Sequence, residues 1–251
     1  MVQPSHPGNV GSAARAIKTM GFSELVLVAP READMTTQPE AIALASGADD
    51  VLAAAHVYDT LEEALAPVTL ACALTARPRD IGPPSADIRQ TATLAQTHLA
   101  AFDQACVGIV LGTERAGLTN TQIGLCHRIC HIPANPQYSS LNVAQALQLA
   151  AWELRYALLQ ADAGVSAVPA DTVAPELPRG EQPASGEAAI AFLTHWEQAL
   201  VAVGFLDPAH PKKLMPRMRT LFGRNNLTRD EVDMLRGVCT AMIATAKKPR
   251  P

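Results

Sequence analysis

The stretch VGIVLGTERAGLTNTQIGLCHRICHIPANPQYSSLN, residues 107–142, decides how this chain reads. It opens on an apolar run, 107–111, with the pattern of a strand buried on both faces. The run ends in Gly112, followed by Thr113-Glu114-Arg115 and Gly117-Leu118. Thr119 has the form of a helix N-cap, and Gln122 stands three residues on to close a capping box. A second apolar stretch, 129–133, leads through a polar turn, Ser139-Ser140-Leu141-Asn142, into a long amphipathic pattern. Strand ends that carry glycine and small polar residues place bare backbone amides at the carboxyl edge of a parallel sheet, and such edges bind ligands.

Outward from this stretch, residues 1–160 alternate short apolar runs with helical periodicity. Strands are expected at 25–29, 68–74, 107–111 and 129–133, with a short one at 51–53. Helices are expected near 12–20, 39–46, 60–66, 88–103, 119–126 and 141–160. This alternation predicts an α/β domain, a mostly parallel sheet with helices on both faces. Residues 161–187 are rich in Ala, Pro and Gly without periodicity and read as a flexible linker. Residues 188–251 read as a small all-helical extension with helices near 188–203, 211–222 and 229–247; Thr228 and Glu231 form a second capping box. Its core is expected to bury Phe192, Trp196, Leu200, Leu214, Leu221, Phe222, Leu235 and Met242, and to lean on the main domain or on a partner subunit. Met1-Val2-Gln3-Pro4 resembles the last residues of a strand. So short a first strand would give a central sheet position few ladder bonds, so the true start is expected upstream or the present one is misassigned.

The 251 residues are 48% apolar and only 4% aromatic, so the core rests on Ala, Leu, Val and Ile. No apolar run approaches the length of a membrane span, and five scattered cysteines form no disulfide framework, which reads as a reduced, cytoplasmic protein. The net charge of −4 speaks against generic nucleic-acid binding, but its distribution does not. From residue 188 onward ten Lys/Arg face five Asp/Glu, so a basic appendage sits on an acidic body and can steer a polyanion; the plain alternative is a solvated helix surface.

Four places can carry chemistry. Asn9, Gly11, Arg15 and Lys18 read as a loop entering a helix, with Gly8 and Gly11 for a tight turn, Ser12 as cap and Arg15 in the first turn as a phosphate clamp; an ordinary solvent-facing helix start is the alternative. Glu114 and Arg115 could orient a ligand or form a local ion pair. Ser139, Ser140 and Asn142 could cap a helix or point into a site. Leu74-Thr75-Ala76-Arg77 closes a strand on the same edge as Gly112 and Ile132. Cys126, His127, Cys130 and His131 offer four ligand types, but alternation along a buried strand sends neighbours to opposite faces, so no metal is expected. No Gly-x-Gly-x-x-Gly run and no Walker loop occurs.

Taken in order, three motifs resemble the SpoU branch of the SPOUT RNA methyltransferases: Asn9-Val10-Gly11-Ser12-Ala13-Ala14-Arg15, Gly112-Thr113-Glu114-Arg115-Ala116-Gly117-Leu118, and Ile132-Pro133 followed by Ser140-Leu141-Asn142. Ser5-His6-Pro7-Gly8-Asn9, Lys18-Thr19-Met20-Gly21, Ala134-Asn135-Pro136 with Tyr138, and the basic extension resemble the bacterial subgroup that methylates tRNA cytidine or uridine 2′-oxygens at anticodon-loop position 32. The resemblance implies a C-terminal trefoil knot and a homodimer with the site at the subunit interface. S-adenosylmethionine would be held by Leu74, Thr75, Ala76, Gly112, Ile132, Ser139, Ser140 and Leu141. Arg15 would be catalytic, with Asn9, Glu114 and Asn142 in support. The tRNA would be bound by Arg15, Lys18, Lys212, Lys213, Arg217, Arg219 and Arg224. An enzyme of this fold acting on another RNA, or a non-catalytic RNA-binding protein, are the competing readings.

Overall fold

The computed structural model describes residues 1–77, 82–162, 179–224 and 227–247. In chain order the body comprises α1 (Pro7–Thr19), β1 (Val26–Val28), α2 (Pro39–Ala45), α3 (Asp49–Ala53), β2 (His56–Tyr58), α4 (Leu61–Ala64), β3 (Leu70–Leu74), β4 (Ser85–Asp87), α5 (Ile88–Ala101), β5 (Val107–Leu111), α6 (Asn120–Ile123), β6 (Arg128–His131) and α7 (Val143–Asp162). Four strands pair in the order β4-β6-β3-β5, and β1 pairs with β2; every ladder is parallel. The Met1–Gln3 segment joins the two sheets. Val2 N–H donates to Leu111 O at 2.8 Å, Gln3 N–H to Val28 O at 2.7 Å, and Val28 N–H to Met1 O at 2.9 Å.

Alternation along the strands sorts the core. Leu25, Leu27, Leu70, Cys72, Leu74, Leu111 and Cys130 point to the face covered by α1, α2, α3 and α7. Val26, Val28, Ala71, Ala73, Val110 and Ile129 point to the face covered by α4 and α6. Gly8 and Gly11 lie inside α1, not in a loop. A Cβ on Gly11 would sit 2.0 Å from the carbonyl oxygen of Ala41, so glycine is required for close contact between α1 and α2.

Several expectations are corrected. The helix expected at 12–20 begins at Pro7, a proline in its first turn, where a missing N–H costs nothing. Arg15 therefore lies beyond the second turn, and Ser12 caps nothing. Residues 51–53 are helical: Asp49 and Asp50 place acid in the first turn of α3, and a three-residue apolar run does not distinguish helix from strand. The strand beside β1 is instead His56–Tyr58, mostly exposed. Strand β5 has the expected bounds, but Val107, Gly108 and Ile109 are only half-buried.

The expected linker over 161–187 lies mostly outside the described residues; Arg179–Glu181 form a 3-10 turn. The extension comprises α8 (Gly186–Ala202), α9 (Leu214–Gly223) and α10 (Arg229–Ala246). Its centre is a three-ring cluster, with Phe192 and Phe222 edge-on at 4.9 Å and Trp196 against Phe222 at 5.3 Å. Leu221, expected inside, is 53% exposed, because the helix turns its neighbour Phe222 inward instead. The extension leans on its own body. Gly186 N–H donates to Val68 O at 2.9 Å and Glu187 N–H to Ala66 O at 3.2 Å. Arg128 Nη1 donates to Arg224 O at 3.2 Å and Arg229 Nη2 to Gln104 Oε1 at 3.1 Å.

Candidate functional site

The carboxyl ends of β3, β5 and β6 open into one cleft with the start of α7. Leu74, Thr75, Ala76, Gly112, Ile132, Ser139, Ser140 and Leu141, the eight residues expected around a donor, all line it. Arg77, Leu111, Thr113, Glu114, Arg115 and Gly117, marked in the sequence without a donor role, join them, and so do Val143 and Ala146, which the sequence did not single out. The signal for those two was position alone, in the first turn of the helix that follows Ser139–Asn142. The loop after β5 folds back tightly. Gly117 N–H donates to Thr113 O at 2.9 Å, and a Cβ on Gly112 would sit 2.2 Å from the carbonyl carbon of Gly117. Glycine thus leaves the cleft floor to backbone. Apolar walls (Leu74, Leu111, Ile132, Leu141) beside hydroxyls and strand-end amides suit a ligand with one flat apolar part and several polar groups.

Glu114 reaches out of this loop to the start of α1. Its carboxylate accepts from Ser5 N–H at 3.2 Å, Ser5 Oγ at 2.9 Å, His6 N–H at 3.3 Å and Asn9 Nδ2 at 3.2 Å. Asn9 Oδ1 in turn accepts from Asn142 Nδ2 at 2.9 Å, and Asn142 Oδ1 caps α7 by accepting from Ala144 N–H at 2.9 Å and Gln145 N–H at 3.3 Å. One directed relay therefore ties the three motifs together. Partial burial opposes the charge on Glu114, but the hydrogen bonds from its own backbone, Asn9 and Ser5 outweigh it and hold the carboxyl below its ordinary pKa. Helix α1 has no side-chain cap of its own; a carboxylate far along the chain accepts from the N–H of its N-cap residue, His6, and of Ser5 before it.

Arg15 lies outside this cleft. It is exposed in a neighbouring open cleft with His6, Asn9, Ser12, Asn142 and Gln145, and it makes no hydrogen bond or ion pair among the described residues. Lys18 points elsewhere, its Nζ 2.8 Å from Asp50 Oδ1 and 2.9 Å from Gly47 O, an exposed pair that ties α1 to α3. Lys213, Arg217 and Arg224 are exposed at helical spacing along α9, beside exposed Lys212, whereas Arg219 turns toward Gly124 of the body. Cys126, His127, Cys130 and His131 do not converge. His127 Nδ1 accepts from Ala71 N–H at 2.9 Å inside the protein, Cys126 and Cys130 are buried, and His131 faces outward. No group of three metal-ligating side chains occurs among the described residues.

Comparison with known proteins agrees with this geometry. Residues 1–152 match the SpoU rRNA Methylase family and residues 187–251 match the tRNA methyltransferase TrmJ C-terminal domain. The chain is 41% identical to tRNA (cytidine/uridine/adenosine-2′-O-)-methyltransferase TrmJ of Pseudomonas aeruginosa over 96% of its own length and 91% of that protein. Among solved structures, TrmJ from Z. mobilis superposes with a TM-score of 0.78 at 33% identity, covering 96% of both chains. A probable methyltransferase from Bordetella pertussis is 80% identical and covers 63% of this chain and 93% of its own, with a TM-score of 0.60. This chain belongs to the SpoU methylase family and carries the C-terminal domain that marks its TrmJ branch.

Proposed function

We propose that the protein transfers a methyl group from S-adenosylmethionine to a ribose 2′-oxygen of tRNA, at anticodon-loop position 32, on cytidine or uridine. The observation that carries this reading is the single cleft lined by all eight expected donor residues, with the Glu114–Asn9–Asn142 relay at its border. A fold knotted as a trefoil at the carboxyl end of the body belongs to the same proposal. When bound, S-adenosylmethionine supplies an electrophilic methyl group on a sulfonium that leaves without further activation. The protein then has to align the 2′-hydroxyl behind that methyl and manage its proton. Arg15 orients the target phosphate and hydroxyl; an arginine stays protonated and is no general base. Asn9, Glu114 and Asn142 act as positioning residues that fix α1 against the cleft.

The separation of Arg15 from the donor cleft favours a site completed across two subunits. Helix α7 exposes Leu149, Trp152, Tyr156 and Leu159 as one stripe, with the rings of Trp152 and Tyr156 stacked at 6.4 Å. We read this apolar stripe as the homodimer face, which lets Arg15 of one subunit serve the donor of the other. Lys212, Lys213, Arg217 and Arg224 on the extension, with Arg219 beside them, hold the tRNA body through phosphate contacts. Lys18 can join them only by leaving Asp50, a change that costs little at an exposed pair. No described helix is long and apolar enough to cross a membrane, and five free cysteines suit a reducing cytoplasm.

The test is incubation with methyl-labelled S-adenosylmethionine and unmodified tRNA, then mapping of the label by nuclease digestion. A 2′-O-methyl group at position 32 is expected. Label elsewhere in RNA would retain the chemistry and replace the target. Absence of label, with the donor measurably bound to folded protein, would leave a non-catalytic RNA-binding protein of this fold.

A further inference from the structure

The cleft that holds Arg15 has a volume of about 820 Å³, and one carboxylate, Glu40, lines it. An acid is out of place where RNA phosphates are to be held, because it repels them. It also lacks an ordinary structural task. Glu40 stands in the first turn of α2, where an acid commonly serves its own helix. Yet Glu40 makes no hydrogen bond or ion pair among the described residues, to that helix or to Arg15. The carboxylate leans across to α1 instead. A Cβ on Gly8 would lie 2.5 Å from Glu40 Oε1 and 2.8 Å from Leu44 Cδ1, so the bare backbone of Gly8 gives both side chains their place. Leu44 lies one turn after Glu40 and is 45% exposed, which sets an apolar surface beside the open acceptor. Gln145 and Gln148, one turn apart on α7, line the same cleft. An apolar surface with a carboxylate and two amides, each amide able to donate and accept, has the chemistry of a nucleobase seat.

We propose that Glu40 reads the base of the target nucleotide and favours cytidine over uridine, its carboxylate accepting a hydrogen bond from the exocyclic N4 amine. This rests on the proposed transfer to an anticodon-loop ribose and adds the choice of base to it. A loop nucleotide is unpaired, so its base can be splayed into a cleft and read on its Watson–Crick edge. Where cytidine carries the N4 amine, uridine carries the O4 acceptor. A carboxylate attracts the first and repels the second. Arg15 on α1 then takes the phosphate and Glu40 on α2 the base, both from one cleft of one subunit. The acid that would weaken a plain phosphate site is thereby matched by a donor that only some nucleotides bring.

The experiment uses the full chain and three anticodon stem-loops that differ only at position 32: cytidine, uridine, or the pyrimidin-2-one nucleoside, which is cytidine without its N4 amine. Binding is followed by fluorescence anisotropy and transfer by methyl label. The wild type is expected to bind the cytidine loop about tenfold or more tighter than either of the others. Glu40→Gln keeps the shape but can donate as well as accept, and should shrink the cytidine-to-uridine ratio about tenfold with an unchanged melting temperature. Glu40→Ala should bind cytidine and its amine-free analogue equally. Ratios in both variants equal to those of the wild type would overturn the proposal, as would a wild type that does not tell cytidine from the analogue. The ratios are read in binding, so they decide the role of Glu40 whether or not a methyl group is transferred. The expected ratios without transfer would overturn the proposed reaction alone, and failure of all three loops to bind would overturn both.

Discussion

The two halves of the sheet are held very differently. On one side β4, β6, β3 and β5 share continuous parallel registers, five pairs long between β3 and β5. On the other, β1 and β2 pair over three residues and join the rest only through Met1–Gln3. The cleft proposed for the donor is built wholly on the first half, from the ends of β3, β5 and β6 and the start of α7. Arg15 stands on α1, which follows directly from the seam. On the proposed reading the more fully paired half holds the small ligand, and the lightly joined half presents the group aimed at RNA. Glu114 matters because it crosses from one to the other, aided by the packing of α1 on α7.

The largest expected effect separates the halves by function. Arg15→Ala should reduce methyl transfer by about 10²–10³-fold, as loss of one preorganised charge at a reacting centre does. Donor affinity, measured by calorimetry, should stay unchanged because no part of the donor cleft is touched. Transfer at the wild-type rate would remove Arg15 from the reaction, and a parallel loss of donor binding would break the division proposed between the halves.

This division was partly legible in sequence. The strand at 107–111 has the expected bounds, and the capping boxes of Thr119 with Gln122 and of Thr228 with Glu231 are both present, since each depends on residues three apart. The start of α1 was not legible, because its cap, Glu114, lies more than a hundred residues away. Strands β2 and β4 escaped because three residues, exposed or half-exposed, carry no period. Glycine and hydroxyls near strand ends alone would have marked only Thr75, Gly112, Ser139 and Ser140; the eight cleft residues could be named through the resemblance to the SpoU branch. The relay through Ser5, Asn9 and Asn142 could not, because it exists only when the three motifs meet. Glycines 8 and 11 signalled a turn in sequence and serve helix contact in the structure, two uses of the same missing Cβ.

Acid should sharpen the comparison by separating the halves by pH. The amine of Met1 lies in the seam, and burial lowers its pKa from 8.0 to about 5. His127 lies in the stronger half, where burial first, then the charges of Arg128 and His98, lower its pKa from 6.5 to about 4. Both are cations disfavoured when folded. The unfolded chain therefore binds protons first, and stability is fully present above the unfolded pKa and lost as pH falls towards the folded one. Met1 acts from pH 8 down to about 5 and His127 from 6.5 down to about 4, worth on the order of 4 and 3 kcal/mol respectively over the full windows. Melting temperature followed from pH 8.5 to 4.5 should fall throughout. His127→Asn, whose Oδ1 can still accept from Ala71 N–H, should flatten only the lower part. A flat profile in the wild-type chain would show that neither group is desolvated as described.

The smallest effect is expected at the tie itself. Glu114→Gln keeps the shape but places an amide where Ser5, His6 and Asn9 all donate, and should cost about 2 kcal/mol of stability. If Glu114 positions α1, transfer should fall only about tenfold, with the loss in kcat, donor affinity within about twofold of wild type, and partial recovery in Glu114→Asp. If it were instead the acceptor of the hydroxyl proton, the Gln variant would be inactive at every pH with an unaltered melting temperature. The hydrogen bonds decide between these outcomes in advance. Four donors from α1 and its approach already occupy the carboxylate, and they hold its pKa low, so it is a poor base and a strong cap.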